Sequence, residues 1–177
     1  MTKYKIEHLT VEGFKFPIIL DTKTIQSMYK SNKQKPMLGV VYDYKKLFAA
    51  MFCNQLFLTL SKQDKEICVL HELGHICYGH NPQSKPNNIN ELLTNEHNAD
   101  LFAVQFRSKT KVVKTLKKLL ELDKDNSLLL MRQMLLDDVY DGPLPALKES
   151  SKAKKYHQAH KTNLTKCAQM FDAINLE

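Results

Sequence analysis

The spacing of apolar and polar positions changes character about one third of the way along the chain. From Tyr4 to Thr10 and from Phe14 to Leu20, apolar residues recur at the short intervals of strands, and Glu12-Gly13 between them marks a tight turn. A helix is expected near Thr22 to Ser31. Strands are expected over Leu38 to Tyr44 and within Leu47 to Leu60, where Leu56-Phe57-Leu58-Thr59-Leu60 reads as the last strand before the helical part. Beyond it the period is helical. Lys62 to Tyr78 forms one helix, opened by a variant capping box of Ser61 and Asp64 and closed by a glycine cap at Gly79. A loop punctuated by Pro82, Pro86 and several asparagines leads to a second helix from about Asn90, with Leu92, Ala99, Phe102, Ala103 and Phe106 on one face. Helical patterns follow over Lys111 to Leu122, Asn126 to Val139 and Leu164 to Ile174. In the last, Leu164, Cys167, Met170 and Phe171 share a side, and Gly142-Pro143-Leu144-Pro145 reads as a turn. The pattern predicts an α+β fold: a small, mostly antiparallel sheet, two helices packed on it, and a C-terminal helical extension. With 177 residues and 43% apolar content the chain is expected to form one domain, a core over 1–108 and the helical extension over 109–177.

The first long helix carries His71-Glu72-Leu73-Gly74-His75. At 3.6 residues per turn the two histidines lie about 40° apart around the axis and roughly 6 Å apart along it, so both imidazoles can reach one zinc ion. Glu72 flanks that position and can accept a proton from a water there, as a base rather than a ligand. A five-residue match of this kind arises by chance about once in 70 chains of this composition. Its context therefore decides its meaning. Catalytic zinc takes three protein ligands and keeps one position open. On the second helix Glu96 can complete that set, and Asp100, four residues later, can hydrogen-bond the outer nitrogen of a ligating histidine and fix its tautomer.

His71-Glu72-Leu73-Gly74-His75 followed by Glu96-His97-Asn98-Ala99-Asp100 resembles the HExxH plus ExxAD signature of the gluzincin metallopeptidases. The short interval between the two motifs is similar to that of the compact ImmA/IrrE-like peptidases and the minigluzincins, and Leu101-Phe102-Ala103-Val104 also fits. The lysine-rich helix after Val112 is closer to that of membrane-linked gluzincins. The resemblance spans roughly Leu56 to Phe106. It implies a zincin-like fold with an active-site helix and a glutamate helix, Zn2+ held by His71, His75 and Glu96, Glu72 as general base, and Asp100 behind a ligand histidine. It further implies that the strand before the active-site helix borders the cleft, so that a protein or peptide substrate binds as an added strand. The implied activity is zinc-dependent endopeptidase cleavage of a protein, with a transcriptional regulator as the implied substrate in the ImmA/IrrE case. Competing classes are a metal-binding interaction module that holds a partner without cutting it, and a toxin or phage-encoded factor acting on a host protein.

Other residues bear on the site. The metzincin pattern needs glycine three and histidine six residues after the second motif histidine, positions held here by Tyr78 and Asn81. His80 falls one residue early, and on a continuing helix it would point away from His71, so it reads as a polar residue at the helix end. Cys68, three before His71, can approach the metal in principle but reads as a small core residue. His157 and His160 lack a partner carboxylate for a second metal site. Tyr78, His97 and Tyr140 are the candidate donors to a developing oxyanion, and spacing selects none of them.

The net charge of +7 comes chiefly from lysine. Lys109, Lys111, Lys114, Lys117 and Lys118 crowd one helix, and Lys148, Lys152, Lys154, Lys155 and Lys161 the tail, which suits either a solvated face or an acidic partner. No nucleic-acid-binding motif accompanies them. Cys53, Cys68, Cys77 and Cys167 show no C-x-x-C spacing and read as buried thiols rather than a disulfide framework. The N-terminal residues do not form a signal peptide, and no apolar run nears the 18 residues of a membrane span, so a cytoplasmic protein without membrane partners is expected.

Overall fold

The structure, a computed structural model, describes residues 4–28, 36–80, 88–139 and 160–172. Strands β1 (Lys5–Val11) and β2 (Phe14–Leu20) form an antiparallel hairpin in register Val11↔Phe14. Its two-residue loop has both φ angles positive, 51° at Glu12 and 85° at Gly13, the condition of a type I′ turn that follows the strands' own twist. After α1 (Thr22–Met28), strands β3 (Leu38–Asp43) and β4 (Phe48–Cys53) form a second antiparallel pair, and β4 joins β2 in parallel with Ile18 opposite Met51. The sheet order is β1-β2-β4-β3. The α+β class is as expected, and the sheet is mixed: two of its three pairings are antiparallel. The crossover through α1 places β4 inside and leaves β3 as a terminal strand among the described residues.

The expected strand over Leu56 to Leu60 is instead a short helix, α2 (Gln55–Thr59). Asn54 caps it, accepting from the Phe57 N–H at 3.2 Å while its own amide donates to the Pro36 carbonyl at 3.0 Å. Burial explains why the helix wins: Phe57 and Leu60, three apart, are buried, whereas Leu56 is 42% exposed. An alternation of 56, 58 and 60 would have put Phe57 on the wet side of a strand. A short apolar run does not distinguish the two periods by itself.

Helix α3 (Lys62–Tyr78) has the expected bounds. The Ser61 side chain accepts from the Asp64 N–H, and Gly79 ends the helix in the left-handed conformation with φ 70°. Helix α4 (Ile89–Phe106) begins at Asn88, whose side chain accepts from the Glu91 N–H, and it buries Leu93, Ala99, Asp100, Phe102 and Ala103. Helices α5 (Lys109–Leu122), α6 (Ser127–Leu136) and α7 (His160–Asp172) complete the described elements. One hydrophobic core runs through the sheet and all the long helices. It joins Phe16, Ile18 and Met51 to Leu70, Leu73 and Phe102, and equally to Val112, Leu116, Leu136 and Leu164 from beyond residue 108. Against the sheet, α7 sets Phe171 edge-on to Phe16 with centroids 5.2 Å apart, and the thiols of Cys167 and Cys77 meet at 3.2 Å. The four cysteines are free thiols, as expected.

Three lysines of α5 face carboxylates of the same molecule: Lys109 meets Asp138, Lys117 meets Asp137 and Lys118 meets Asp64. Tail positions Lys148, Lys152, Lys154 and Lys155, the Gly142-Pro143-Leu144-Pro145 turn, Tyr140, His157, Pro82 and Pro86 lie outside the described residues, as do the expected helix end at Ile174 and the side chains of His160 and Lys161. No helix among the described residues is long and apolar enough to cross a membrane.

Asp64 ties α3 to α5. Buried at 7% exposure, it accepts from Ser61 Oγ at 2.6 Å, Thr115 Oγ1 at 2.8 Å and Lys118 Nζ at 2.6 Å. Burial raises its pKa, but these hydrogen bonds more than offset that and hold the carboxyl below its ordinary value. Replacing Asp64 with Ala strands the Thr115 hydroxyl and is expected to cost about 2 kcal/mol at neutral pH, read by urea unfolding. A depressed carboxyl stabilises the fold above its unfolded pKa of about 3.9 and loses that contribution as pH falls through the lower folded value. The difference between wild type and Asp64→Ala should therefore shrink progressively below about pH 4.

Candidate metal centre

Gly74 sets the distance between the two helices of the site. A methyl group built there would lie 2.9 Å from the Ala99 Cα, 3.0 Å from the Ala99 carbonyl oxygen and 3.0 Å from the Phe102 Cβ. Glycine in a helix interior costs about 0.5 to 1 kcal/mol relative to alanine, and here that cost permits backbone-to-backbone contact of α3 with α4. One turn before Gly74 stands His71, and one turn before Ala99 stands Glu96. The close crossing therefore brings those two side chains together.

The expected ligands converge. His71 Nε2 and His75 Nε2 are 3.1 Å apart, with Glu96 Oε2 3.2 Å from the first and Glu96 Oε1 3.5 Å from the second. Ligand atoms about 2.05 Å from a tetrahedral ion lie about 3.3 Å from one another, and these contacts, made to the two histidines by different oxygens of Glu96, are close to that spacing. Among the described residues this is the one His/Cys/Asp/Glu group of three placed to hold a metal ion. Asp100 sits where expected behind His71, its Oδ1 2.8 Å from His71 Nδ1. That bond puts the hydrogen on Nδ1 and, in the neutral imidazole, leaves the Nε2 lone pair facing the other donors.

Arg132 on α6 escaped the sequence reading. Its Nε and Nη2 grip the Asp100 carboxylate at 2.9 and 2.7 Å, and its Nη1 lies 3.2 Å from Glu96 Oε2. The signal was present: Arg132 is the single charge in Ser-Leu-Leu-Leu-Met-Arg-Gln-Met-Leu-Leu, and a lone charge on a mostly apolar helix implies a buried partner. Without it, Glu72, Glu96 and Asp100 would crowd three carboxylates into one poorly solvated space.

The protonation pattern follows from burial and from these charges. Burial and the Arg132 cation oppose a proton on His71, but Asp100 and Glu96 overcome them and carry it up to about 9. Burial drives His75 down to about 3, so the proton near the Nε2 contact belongs to His71. Burial also works against the charge of Glu96 and Asp100. His75 and Arg132 nevertheless hold Glu96 well below the carboxylate range, and Arg132 with His71 brings Asp100 to about 2. Glu72 differs: burial, reinforced by Glu96 against the pull of His71, pushes its carboxyl up to about 7, and a backbone hydrogen bond from Val40 on β3 reaches it.

A cavity of about 120 Å³ opens beside these groups. Pro36, Met37 and Leu38 form one wall, and Leu116, Leu119, Leu128 and Leu129 of α5 and α6 form the other, with Arg132 among them. Cys68 lines it too, but burial pushes its thiol up to about 12 and it is not among the converging ligands. Of the suggested oxyanion donors, Tyr78 stacks with His80 and His97 has a buried Nδ1 with no hydrogen-bond partner; neither lines this cavity. His80 does not point away from the motif: its Nδ1 lies 2.9 Å from His75 Nδ1. The expectation failed because it extended the helix through Gly79, where the chain turns back.

No family model, curated protein or solved structure matches the chain.

Gly74→Ala must move α4 outward by a few tenths of an ångström or strain both helices, at a cost of about 1 to 3 kcal/mol. The expected result is a lower melting temperature together with weaker metal binding in a chelator competition, since the displaced helix carries Glu96 away from His71. Unchanged metal affinity would separate the crossing from the ligand geometry.

Proposed function

We propose that this protein is a zinc-dependent endopeptidase of the gluzincin kind, with a zincin-like arrangement of its two central helices. The observation that carries the reading is the convergence of His71, His75 and Glu96 at the spacing of a tetrahedral ion, with a buried, proton-accepting Glu72 beside them. Two imidazoles and one carboxylate form a donor set suited to zinc, and three protein ligands leave one position for chemistry. Bound zinc supplies Lewis acidity: it polarises the scissile carbonyl and lowers the pKa of the attacking water.

The chain's own groups do the rest. Glu72, with its carboxyl near neutrality, takes the proton from the water at its carboxylate oxygen and returns it to the departing amine. Asp100 holds His71 by its Nδ1–H, and Arg132 holds Asp100 in turn, so the ring that donates Nε2 cannot rotate. The terminal strand β3 takes the place of the strand expected at Leu56 to Leu60 as the docking edge. It passes Glu72 at Val40 and leads in from the cavity wall at Pro36 to Leu38, so an extended peptide adds to its outer edge. Apolar side chains of that peptide enter between Leu38 and the α5–α6 leucines. The substrate class is an extended or locally unfolded protein segment, and the likeness to ImmA/IrrE-like enzymes extends the proposal to a regulatory protein. Lysines of α5 remain candidates for an acidic partner.

Two measurements test this reading. Purified protein should bind one zinc, and wild type but not Glu72→Gln should digest an unstructured protein, with the variant slower by about 10²- to 10⁴-fold at equal zinc content. If both bind zinc and neither cleaves, the enzymatic reading falls and a metal-dependent binding module takes its place. Glu96→Ala should weaken zinc binding by more than the roughly 10- to 100-fold lost with an outer hydrogen-bond partner, with helix content by circular dichroism retained. Zinc affinity unchanged in that variant would remove Glu96 from the ligand set.

A further inference from the structure

The C-terminal turn of α3 is built by a left-handed glycine, and its hydrogen bonds have a defined pattern. Gly79 N–H donates to the Ile76 carbonyl at 3.1 Å and His80 N–H donates to the His75 carbonyl at 3.0 Å. This is the Schellman arrangement, which folds the second residue after the helix back over the residue five before it, usually to form an apolar contact. Here the two residues so paired are His80 and His75. Their side chains meet through Nδ1 and Nδ1 at 2.9 Å, ring centroids 5.2 Å apart. The His80 ring also stacks on Tyr78 with an interplanar angle of 18°, and the His80 backbone carbonyl accepts from the Tyr42 hydroxyl on β3.

We propose that His80 is a positioning residue of the metal centre, fixing the tautomer and ring plane of His75 as Asp100 does for His71. The inference rests on the metal-site reading above. Hydrogen counting assigns the roles. A ligating His75 offers the Nε2 lone pair, so its one hydrogen is on Nδ1 and is donated outward. His80 must then accept with a bare Nδ1 and carry its own hydrogen on Nε2. With Nδ1 engaged by His75, His80 is not a fourth ligand; it would have to rotate out of its stack on Tyr78 to become one. The two ligand histidines are thus secured by different chemistry, a carboxylate behind His71 and a neutral imidazole behind His75. The anchor of the second device is Tyr42 of β3, the strand proposed to receive the substrate, so the docking edge and the orientation of a ligand share one support.

The test uses zinc-loaded full-length protein labelled with ¹⁵N-histidine. Long-range ¹H–¹⁵N correlation spectra should show His75 metal-bound at Nε2 and protonated at Nδ1, and His80 protonated at Nε2 with Nδ1 bare. His80→Ala should lower zinc affinity by roughly 10- to 100-fold and expose the His75 Nδ1–H to rapid exchange. His80→Gln, whose amide oxygen can accept the same hydrogen, should recover part of both effects, while the melting temperature of metal-free protein changes similarly in the two variants. A metal-shifted nitrogen on His80 overturns the proposal by making it a ligand. So does His80→Ala with zinc affinity and the His75 Nδ1–H signal unchanged, or Gln and Ala variants that differ only in melting temperature. Wild type that binds no zinc overturns the metal-site reading and this inference together, whereas the other failures overturn this inference alone.

Discussion

The contact of Gly74 with Ala99 and Phe102 is the constraint on which the site depends. Two helices normally pack 8 to 10 Å apart according to the side chains between them, and a glycine facing an alanine allows the near end of that range. With α3 and α4 in such close contact, the short carboxylate arm of Glu96 spans to both histidines, and Asp100 reaches around to the far nitrogen of His71. A larger side chain at either position would hold these side chains apart whatever their chemistry. The sheet and the outer helices pack around this pair and fix its position: α3 rests on β1 and β3, and α5 and α6 close the other flank.

Close packing concentrates charge, and the structure resolves that problem with few groups. Glu72, Glu96 and Asp100 lie close together in a largely buried space, and His71 and Arg132 are the cations beside them. The chain has two arginines, and both bridge pairs of carboxylates: Arg132 joins Asp100 and Glu96, and Arg107 joins Glu12 of the hairpin loop to Glu66 of α3. A planar guanidinium suits such work because it serves two acceptors at once in a fixed geometry. Lysine, far more abundant here, serves the single-point contacts on α5 and the Lys65–Glu7 pair.

The helix ends carry as much of the site as the helix faces. At one end of α3, Ser61 and Asp64 fix the start of the helix and tether it to α5; at the other, Gly79 returns the chain so that His80 meets His75. Two tyrosines, Tyr42 of β3 and Tyr44 in the turn just after it, add to this. Tyr42 donates to the His80 carbonyl and Tyr44 to that of Ile76, so the terminal strand is fastened to the last turn of the helix beside it. These bonds tie β3 and the turn that follows it to the end of α3.

Local sequence determined what short-range physics can decide. The bounds of α3, the positive-φ turn at Glu12-Gly13, the helical period of α4 and the placing of His71, His75, Glu96 and Asp100 on matching faces all follow from spacing, caps and turn chemistry within a few residues. Even the His75–His80 pair is implied by a glycine cap followed at once by histidine, once the helix is allowed to stop at Gly79. Tertiary structure decided the rest. Whether Leu56 to Leu60 became strand or helix depended on which neighbours could bury Phe57 and on the bond from Asn54 to Pro36, partners outside the segment. The parallel joining of β2 to β4, and with it the place of β3 at the edge of the described sheet, is a matter of chain crossover that no local period encodes. Arg132 stands 32 residues from Asp100, and only the packing of α6 on α4 brings them together. The division follows from range: hydrogen bonds along one helix are written in neighbouring residues, whereas burial and charge pairing are settled by whatever the completed fold sets alongside.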